Sequence, residues 1–397
     1  MNKKVYFDNV ATTSVNDDVL KTYKELLDKS YCNSDALYDD GVAIYNMQEK
    51  SREIIARLLN VDKEEVIFTS GASEANSLAI KGLCLNNQNK KHIISTIYEH
   101  SSAYNALKQL ETKFGYEVTY LMPGEDGRIN PEDVRKALRS NTILVSIMLV
   151  NNEIGSVNDI DAIKEIVKKN PGTYFHSDIT QGLAKIDIDL KDVDMASFSA
   201  HKIHGLKGSG VLIKKKHVEL LPLVNGGQQE FGVRGGTSNA IVNTVLAKTL
   251  RIALERHENE DKKIKVLKYY FENRIKEIPE VKINSPVGNI DNLINISTPI
   301  KSEVLLNALN VKGIMVSSKS TCGSRKNEGN RALKALGVDE DYAIRVSFDY
   351  DNTKEEVDYF IDCLKEDINK YAWVLLWSYC CEIWWIINKG KESKRFY

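Results

Sequence analysis

The chain has 397 residues, and its 54 lysines and arginines against 55 aspartates and glutamates leave a formal net charge of −1. This length and an ordinary composition predict a globular protein of two domains. The balanced charge argues against direct binding to nucleic acid or to another strongly charged partner. Residues 1–8 lack the apolar core and the small-residue cleavage site of an export signal.

The cysteines and tryptophans add two compositional signals. The six cysteines form neither a zinc-type cluster nor an evident disulfide framework, so we expect no metal site and a reducing, cytoplasmic location. All four tryptophans lie beyond residue 372, and the apolar run 372–388, which contains Glu382, is at the short limit for a membrane span. We predict that residues 372–397 are an appendage to the main fold. The alternatives are an interfacial or partner-binding helix, with membrane contact the less favoured, and a cloning or frameshift scar.

Strands and helices alternate along residues 15–215. The hydrophobic periodicity predicts helices over 15–30 and 36–60, followed by repeated strand–helix units. The seven predicted strands cover 65–69, 92–97, 118–121, 142–150, 174–177, 193–198 and 211–213. Such alternation predicts an α/β fold with a mostly parallel sheet covered on both faces. The short turn before the last strand predicts one antiparallel neighbour.

The second part of the chain has a different pattern. Residues 239–278 are almost continuously helical in pattern and predict a pair of long helices that leaves the large domain. Residues 280–371 predict a smaller α+β unit. Its predicted strands are 292–297, 314–317 and 343–348, and its predicted helices are 302–310, 330–336 and 354–370.

The segment 70–73, Ser-Gly-Ala-Ser, lies between a predicted strand and a predicted helix. Free backbone N–H groups and the dipole at a helix start favour an anion, and glycine allows the chain to approach it closely. The segment is therefore a candidate phosphate cradle. An ordinary helix cap at Ser73 explains the same residues, and both explanations can hold together.

Polar side chains follow several of the predicted strands. His100, Asn152 and Asp178 each come at or shortly after a strand end, so we expect them at the carboxyl edge of the sheet, where open α/β folds bind ligands. Lys202 follows the strand 193–198 in a segment rich in glycine and histidine. Partial burial there would lower its pKa and make it a Schiff-base nucleophile. A surface histidine, a turn amide and a solvated lysine are the plain alternatives.

Together these residues match the needs of one cofactor. Pyridoxal phosphate requires a lysine for a Schiff base, an anion cradle, and a carboxylate that keeps the pyridine nitrogen protonated. Lys202, residues 70–73 and Asp178 supply these three groups. The sequence contains no Gly-x-Gly-x-x-Gly dinucleotide turn that would compete with this interpretation.

Ten motifs along the chain occur in a fixed order. They are YFDNVATT (6–13), TSGASEAN (69–76), EH (99–100), VNNEIG (150–155), Asp178 with Gln181, SFSAHK (197–202), GGQQE (226–230), RGGT (234–237), SSKSTC (317–322) and IRVS (344–347). In these motifs the sequence resembles the cysteine desulfurases of the class-V aminotransferase family, over nearly all of residues 3–371. The resemblance implies an aminotransferase-like fold of type I. Its large cofactor-binding domain would cover 15–255, and its small domain would cover 1–14 and 256–371.

The resemblance also implies roles around the cofactor ring. Lys202 would form the Schiff base with pyridoxal 5'-phosphate and later move protons. His100 would stack on the pyridine ring and assist proton transfer. Asp178 would pair with the ring nitrogen, and Gln181 would bond the phenolic oxygen.

Two further groups of residues are implied by the same resemblance. The phosphate would be held by Ala72, Ser73, Ser199, His201 and, from the neighbouring subunit of a homodimer, Thr237. The substrate carboxylate would be held by Asn152, which also contacts the cofactor, and by the guanidinium fork of Arg345.

Cys322 decides which reaction the resemblance implies. Its thiolate would accept the sulfur of L-cysteine, which leaves a persulfide on the protein and releases L-alanine. Lys319, Arg325 and Lys326 make the loop polar and electropositive, which is the setting that lowers a thiol pKa. The persulfide would supply iron–sulfur cluster assembly or tRNA thiolation through an acceptor protein.

Several positions depart from the family pattern. Residues 32–38 lack the usual Asn-Pro-Ser and histidine, Lys319 replaces a glycine, and Gly323 stands where threonine is common. These changes leave the flexibility of the cysteine loop and the sulfur acceptor open. His204 receives no role, and residues 372–397 have no counterpart in the family pattern.

Two other functions remain open from the sequence. One is another class-V lyase or aminotransferase, such as a selenocysteine lyase or a sulfinate-directed enzyme. The other is a non-catalytic scaffold that keeps the fold and binds a sulfur-relay partner. Activity that depends on Cys322 would favour the desulfurase, and a colourless protein without cofactor would favour the scaffold.

Overall fold

The computed structural model describes residues 4–318 and 329–371, so Cys322, Lys319 and the segment 372–397 lie outside the described residues. The β-strands are β1 (Val5–Tyr6), β2 (Val66–Thr69), β3 (His92–Thr96), β4 (Glu117–Leu121), β5 (Thr142–Ser146), β6 (Tyr174–Asp178), β7 (Met195–Ser199), β8 (Gly210–Lys214), β9 (Lys282–Ile283), β10 (Leu293–Ser297), β11 (Ile314–Met315) and β12 (Ala343–Ser347). The α-helices are α1 (Asp17–Lys29), α2 (Asp39–Leu58), α3 (Ala72–Ser77), α4 (Leu83–Asn86), α5 (Ser101–Phe114), α6 (Pro131–Ala137), α7 (Ile160–Val167), α8 (Ala240–Ile275), α9 (Ser302–Val311) and α10 (Arg331–Ala335). Residues 354–371 are also helical.

A seven-stranded sheet has the strand order β2-β8-β7-β6-β5-β3-β4. Strands β3 to β7 pair in parallel, whereas β8 runs antiparallel to both of its neighbours, β2 and β7. The predicted mostly parallel sheet is therefore confirmed, together with its antiparallel neighbour. Since all strands except β8 point the same way, their carboxyl ends meet at one edge, and β8 begins at that edge.

Helices cover both faces of this sheet, which explains why β3, β5, β7 and β8 are buried at every residue. Adjacent residues of a strand point to opposite faces. Ile93 thus packs in the core that contains Leu107 of α5, whereas Ile94 packs in the core that contains Leu250 of α8.

The predicted pair of helices over 239–278 is wrong, because α8 is a single helix of 36 residues. Asn239 caps its start by accepting from the N–H of Val242, and no glycine or proline interrupts it. Its first half packs against the large sheet, and its second half packs in a separate core around Phe271. Neither α8 nor any other helix within 4–318 and 329–371 combines the length and apolarity needed to cross a bilayer.

The separate core joins both ends of the described chain. Val5 and Phe7 pack there with Phe348 and Phe360, beside a three-stranded antiparallel sheet of order β12-β10-β9. The first strand, β1, pairs in parallel with β11. This packing supports the predicted grouping of 1–14 with 256–371, although the domain boundaries themselves stay a prediction.

Gly210 generates a test of the fold, because β8 passes very close to the turn before α3. A Cβ at Gly210 would lie 2.5 Å from Gly71 Cα and 2.6 Å from the carbonyl oxygen of Phe198. We expect Gly210→Ala to lower the free energy of unfolding by about 2–3 kcal/mol, since backbone on both sides must move. Urea unfolding measures the loss.

Gly208→Asn is the matched control in the same turn. Gly208 has φ +76° with open space around it, and asparagine tolerates this left-handed conformation. Equal losses of stability in the two variants would contradict the steric explanation.

Candidate active site

The carboxyl edge of the large sheet borders a cavity of about 270 Å³. Ten of the twelve predicted site residues line it: Ala72, Ser73, His100, Asn152, Asp178, Gln181, Ser199, His201, Lys202 and Arg345. Of the other two, Cys322 lies outside the described residues, and Thr237 is exposed and does not line the cavity. The lining residues that the sequence did not single out are Val10, Ala11, Met148 and Thr180.

The candidate phosphate cradle is formed where β2 and β7 end and α3 begins. The backbone N–H of Ala72 donates to Ser199 Oγ at 2.6 Å. Gly71 has φ +147°, which side chains other than hydrogen rarely permit, and it passes directly beside Ser199. A π-helical turn continues α3 into α4, so the dipole of a longer helix ends at Ser73 and Ala72. These features fit a phosphate group.

Asp178 ends β6 and is only 5% exposed. Its Oδ2 accepts from Asn76 Nδ2 at 2.7 Å, and its Oδ1 accepts from the N–H of Thr180 at 3.0 Å. The two donors orient the carboxylate at the cavity wall, as a protonated pyridine nitrogen requires. Sequence reasoning missed Asn76 as a site residue, although it lies in the motif 69–76.

Two histidines at the cavity have lowered pKa values. His100 caps α5, since its Nδ1 accepts from the N–H of Ser102 at 3.2 Å, and burial lowers the pKa of its ring. Burial, followed by the charges of Lys202 and Lys207, lowers the pKa of His201 to about 4. Both rings are therefore neutral at neutral pH. For His100, the helix cap and the cavity position hold together.

Lys202 reaches the N-terminal segment of the chain. Its Nζ donates to the carbonyl oxygens of Val10 and Ala11, each at 2.6 Å. Gln181 Nε2 donates to the same Val10 carbonyl at 3.1 Å. The motif 6–13 is visible in the sequence, but its part in the site is a matter of backbone carbonyls, which residue types do not reveal.

Arg345 enters the cavity from β12 and is 2% exposed. Its Nη1 donates to the Asn152 carbonyl at 2.9 Å and to Glu153 Oε1 at 3.3 Å, and its Nη2 donates to Asp8 Oδ1 at 3.1 Å. Burial raises the pKa of Asp8 and of Glu153, and Arg345 opposes both shifts. The buried Nε of Arg345 has no hydrogen-bond partner within the described chain, which leaves a donor for a carboxylate ligand.

Comparison with known proteins agrees with this geometry. The family model described as aminotransferase class-V matches residues 5–360. The chain belongs to the class-V aminotransferase family. Among curated relatives, the protein named cysteine desulfurase IscS from Clostridium botulinum strain Hall is 37% identical over 405 aligned positions, which cover 99% of this chain and 100% of that protein.

Solved structures place this class-V family member in the same fold class as its relatives. A structure described as a NifS-like protein has a TM-score of 0.87 and 34% identity, and it covers 92% of this chain and 100% of its own. A second structure, described as SspA in complex with cysteine, has a TM-score of 0.77 and 33% identity, and the match covers 87% of this chain and 99% of the other. The predicted resemblance and fold class are confirmed.

The low pKa of His201 predicts a pH dependence of stability. Because this pKa is about 4 in the folded protein against an ordinary 6.5, the unfolded chain binds the proton more tightly. The stability that neutral His201 contributes is complete above pH 6.5 and decreases as the pH falls towards 4. We expect His201→Gln to lose less stability than the wild type over this range in urea unfolding experiments.

Above pH 6.5 the wild type and His201→Gln should follow the same pH dependence, which is the internal control for other titrating groups. Parallel curves throughout the acidic range would contradict the assignment of a neutral, partly buried imidazole.

Proposed function

We propose that this protein is a pyridoxal-phosphate-dependent cysteine desulfurase that converts L-cysteine to L-alanine and leaves the sulfur as a persulfide on Cys322. The observation that carries the proposal is the single cavity that joins Lys202, Asp178 and Arg345. A full-length relative named cysteine desulfurase supports the reaction, and a structural neighbour in complex with cysteine supports the substrate.

The residues of the cavity fit the cofactor. The N-terminus of α3 and the hydroxyls of Ser73 and Ser199 would hold the phosphate, and neutral His201 would donate to it. Asp178, oriented by Asn76, would accept from the ring nitrogen. When bound, pyridoxal phosphate supplies an electron sink that acidifies the Cα of an amino acid.

His100 and Gln181 complete the proposed cofactor site. Both line the same cavity as Lys202, which would bind the cofactor covalently. His100 would lie against the ring as a neutral imidazole, which avoids a second cation beside the lysine. Gln181 would donate an amide N–H to the phenolic oxygen.

The substrate carboxylate would bind between Arg345 and Asn152. Asp8 and Glu153 hold the guanidinium from two sides and fix its plane, while Nε keeps a free donor. A carboxylate fixed there would keep the amino acid in the cavity, where Lys202 Nζ would move the proton at Cα.

Cys322 would be the sulfur acceptor. On the described residues that flank its segment, Ser317 pairs with Arg345, and Gly329 lines a small pocket with His100 and Asn152. In the transfer, Cys322 Sγ bonds to the substrate sulfur, and the sulfur–Cβ bond breaks. The bonding electron pair stays with carbon, which takes up a proton and becomes the methyl group of alanine.

The active form in this proposal is a homodimer. The start of α2 and the loop after it carry exposed apolar side chains that face no other described residue group as a core: Leu37, Tyr38, Val42, Tyr45 and Phe231. Gln229 Nε2 donates to Asp35 Oδ2 at 2.7 Å, which brings these two segments together. Thr237 is exposed in the same region, so it is accessible to the phosphate of a neighbouring subunit.

In this proposal the enzyme works in the cytoplasm and passes its persulfide to an acceptor protein for iron–sulfur cluster assembly or tRNA thiolation. The described cysteines Cys32, Cys84 and Cys363 are free thiols, which supports a reducing compartment.

Cys322→Ala tests the reaction. We expect it to abolish formation of alanine and persulfide from L-cysteine, because the acceptor thiolate is lost, and to leave turnover of selenocysteine or cysteine sulfinate largely intact. Alanine release and peptide mapping after incubation with sulfur-labelled cysteine measure the two products.

Cys32→Ala is the control, since Cys32 is a free, partly exposed thiol that does not line the cavity. Sulfide release at the wild-type rate from Cys322→Ala, or label on a different cysteine, would contradict the assignment.

Leu37→Glu tests the homodimer. Leu37 is 94% exposed, and a charge buried at the subunit interface should raise the dimer dissociation constant by about 100-fold. Sedimentation velocity measures the shift towards monomer. Val287→Glu is the control, because Val287 is 99% exposed and lies outside this region. A monomeric wild type, or equal dissociation of both variants, would refute the proposed interface.

A further inference from the structure

Lys185 is linked to Lys202 by a short chain of hydrogen bonds. Lys185 Nζ donates to Gln181 Oε1 at 3.1 Å. Gln181 Nε2 donates to the Val10 carbonyl at 3.1 Å, and this carbonyl also accepts from Lys202 Nζ. The motif 178–181 draws attention to Gln181, but nothing in the sequence points to Lys185.

The chemistry of the lysine fixes the direction of this chain. An ammonium group can only donate, so the side of the Gln181 amide that faces Lys185 must be the oxygen. The amide nitrogen is then held on the other side, towards Val10 and the cavity. Without Lys185, the two ends of the amide would compete for this position, since they differ little in shape.

The two lysines also share an electrostatic environment. Both line a second, smaller cavity, whose other charged or titratable lining groups are His204, Arg256, Asp261, Asp291, Asp349 and Tyr350. Burial and then the charge of Lys202 lower the pKa of Lys185 to about 7, and Asp349 opposes this shift. His204 Nε2 lies 3.1 Å from Asp349, so this carboxylate already has a partner.

Electrostatic coupling between two titrating groups is reciprocal. A proton on Lys185 therefore disfavours positive charge at the Lys202 position by the same free energy with which Lys202 disfavours it on Lys185.

We propose that Lys185 is a positioning residue for the cofactor site, which fixes the Gln181 amide with its N–H groups towards the cavity and places a titratable positive charge beside Lys202. The inference rests on the proposed function, because that function assigns Gln181 to the phenolic oxygen of the cofactor. A donor fixed towards this oxygen stabilises its anionic form, and the nearby cation adds to the effect.

Cofactor affinity tests the action through Gln181. Lys185→Met keeps the length of the side chain and removes the donor, and it should raise the dissociation constant for pyridoxal phosphate about tenfold. In a Gln181→Ala background the same substitution should add nothing, because its target is gone. The exposed Lys169 provides the control, and Lys169→Met should bind like the wild type.

The pH titration of the visible absorption band of the bound cofactor tests the charge. Loss of a neighbouring cation should raise the midpoint of this titration in Lys185→Met by about 0.5 to 1 pH unit. Lys185→Arg, which keeps the charge, should titrate at or below the wild-type midpoint. Thermal unfolding of the apoproteins checks folding, and Lys185→Gln supports the same comparison if the methionine variant does not fold.

Additive losses of affinity in the double variant, or an unchanged midpoint in Lys185→Met, would overturn the role of Lys185. Both measurements use holoenzyme without cysteine, so they do not depend on desulfuration. A wild type that binds the cofactor and forms no alanine contradicts the proposed reaction alone.

Discussion

The hydrogen bonds made by residues 8–13 hold the two parts of the structure together at the cavity. Asp8 accepts from Arg345 of the small-sheet side, and the carbonyls of Val10 and Ala11 accept from Lys202 of the large-sheet side. The backbone N–H of Thr13 then donates to the carbonyl of His201. Since the cofactor lysine and the substrate-binding arginine both depend on this segment, it sets the dimensions of the site.

The cavity also depends on controlled charge. Two histidine rings are kept neutral by burial, while Asp178 is stabilised as an acceptor by an amide and a backbone N–H. Arg345 is flanked by two carboxylates that burial disfavours as anions. Positive charge is thus concentrated at the lysines and the guanidinium, where a phosphate and a carboxylate would have to bind.

The sequence predicted the strands well, because a sheet buried on both faces requires short apolar runs separated by helical periods. It failed at α8, where the charged stretch 256–263 suggested an interruption. Charged side chains are compatible with a helix, and this segment contains neither glycine nor proline to end it. Candidate residues at strand ends were predicted for a simple reason: parallel strands deliver their carboxyl ends to one edge.

The sequence by itself determined the family, the cofactor type and the identity of most residues that line the cavity, because each motif follows a strand or begins a helix. Only the tertiary structure decided how these residues are held. Asn76 behind Asp178, Asp8 and Glu153 around Arg345, the carbonyls under Lys202, and Lys185 behind Gln181 are contacts between segments far apart in the chain or between backbone atoms. Periodicity and spacing describe local structure, so they carry no information about such contacts.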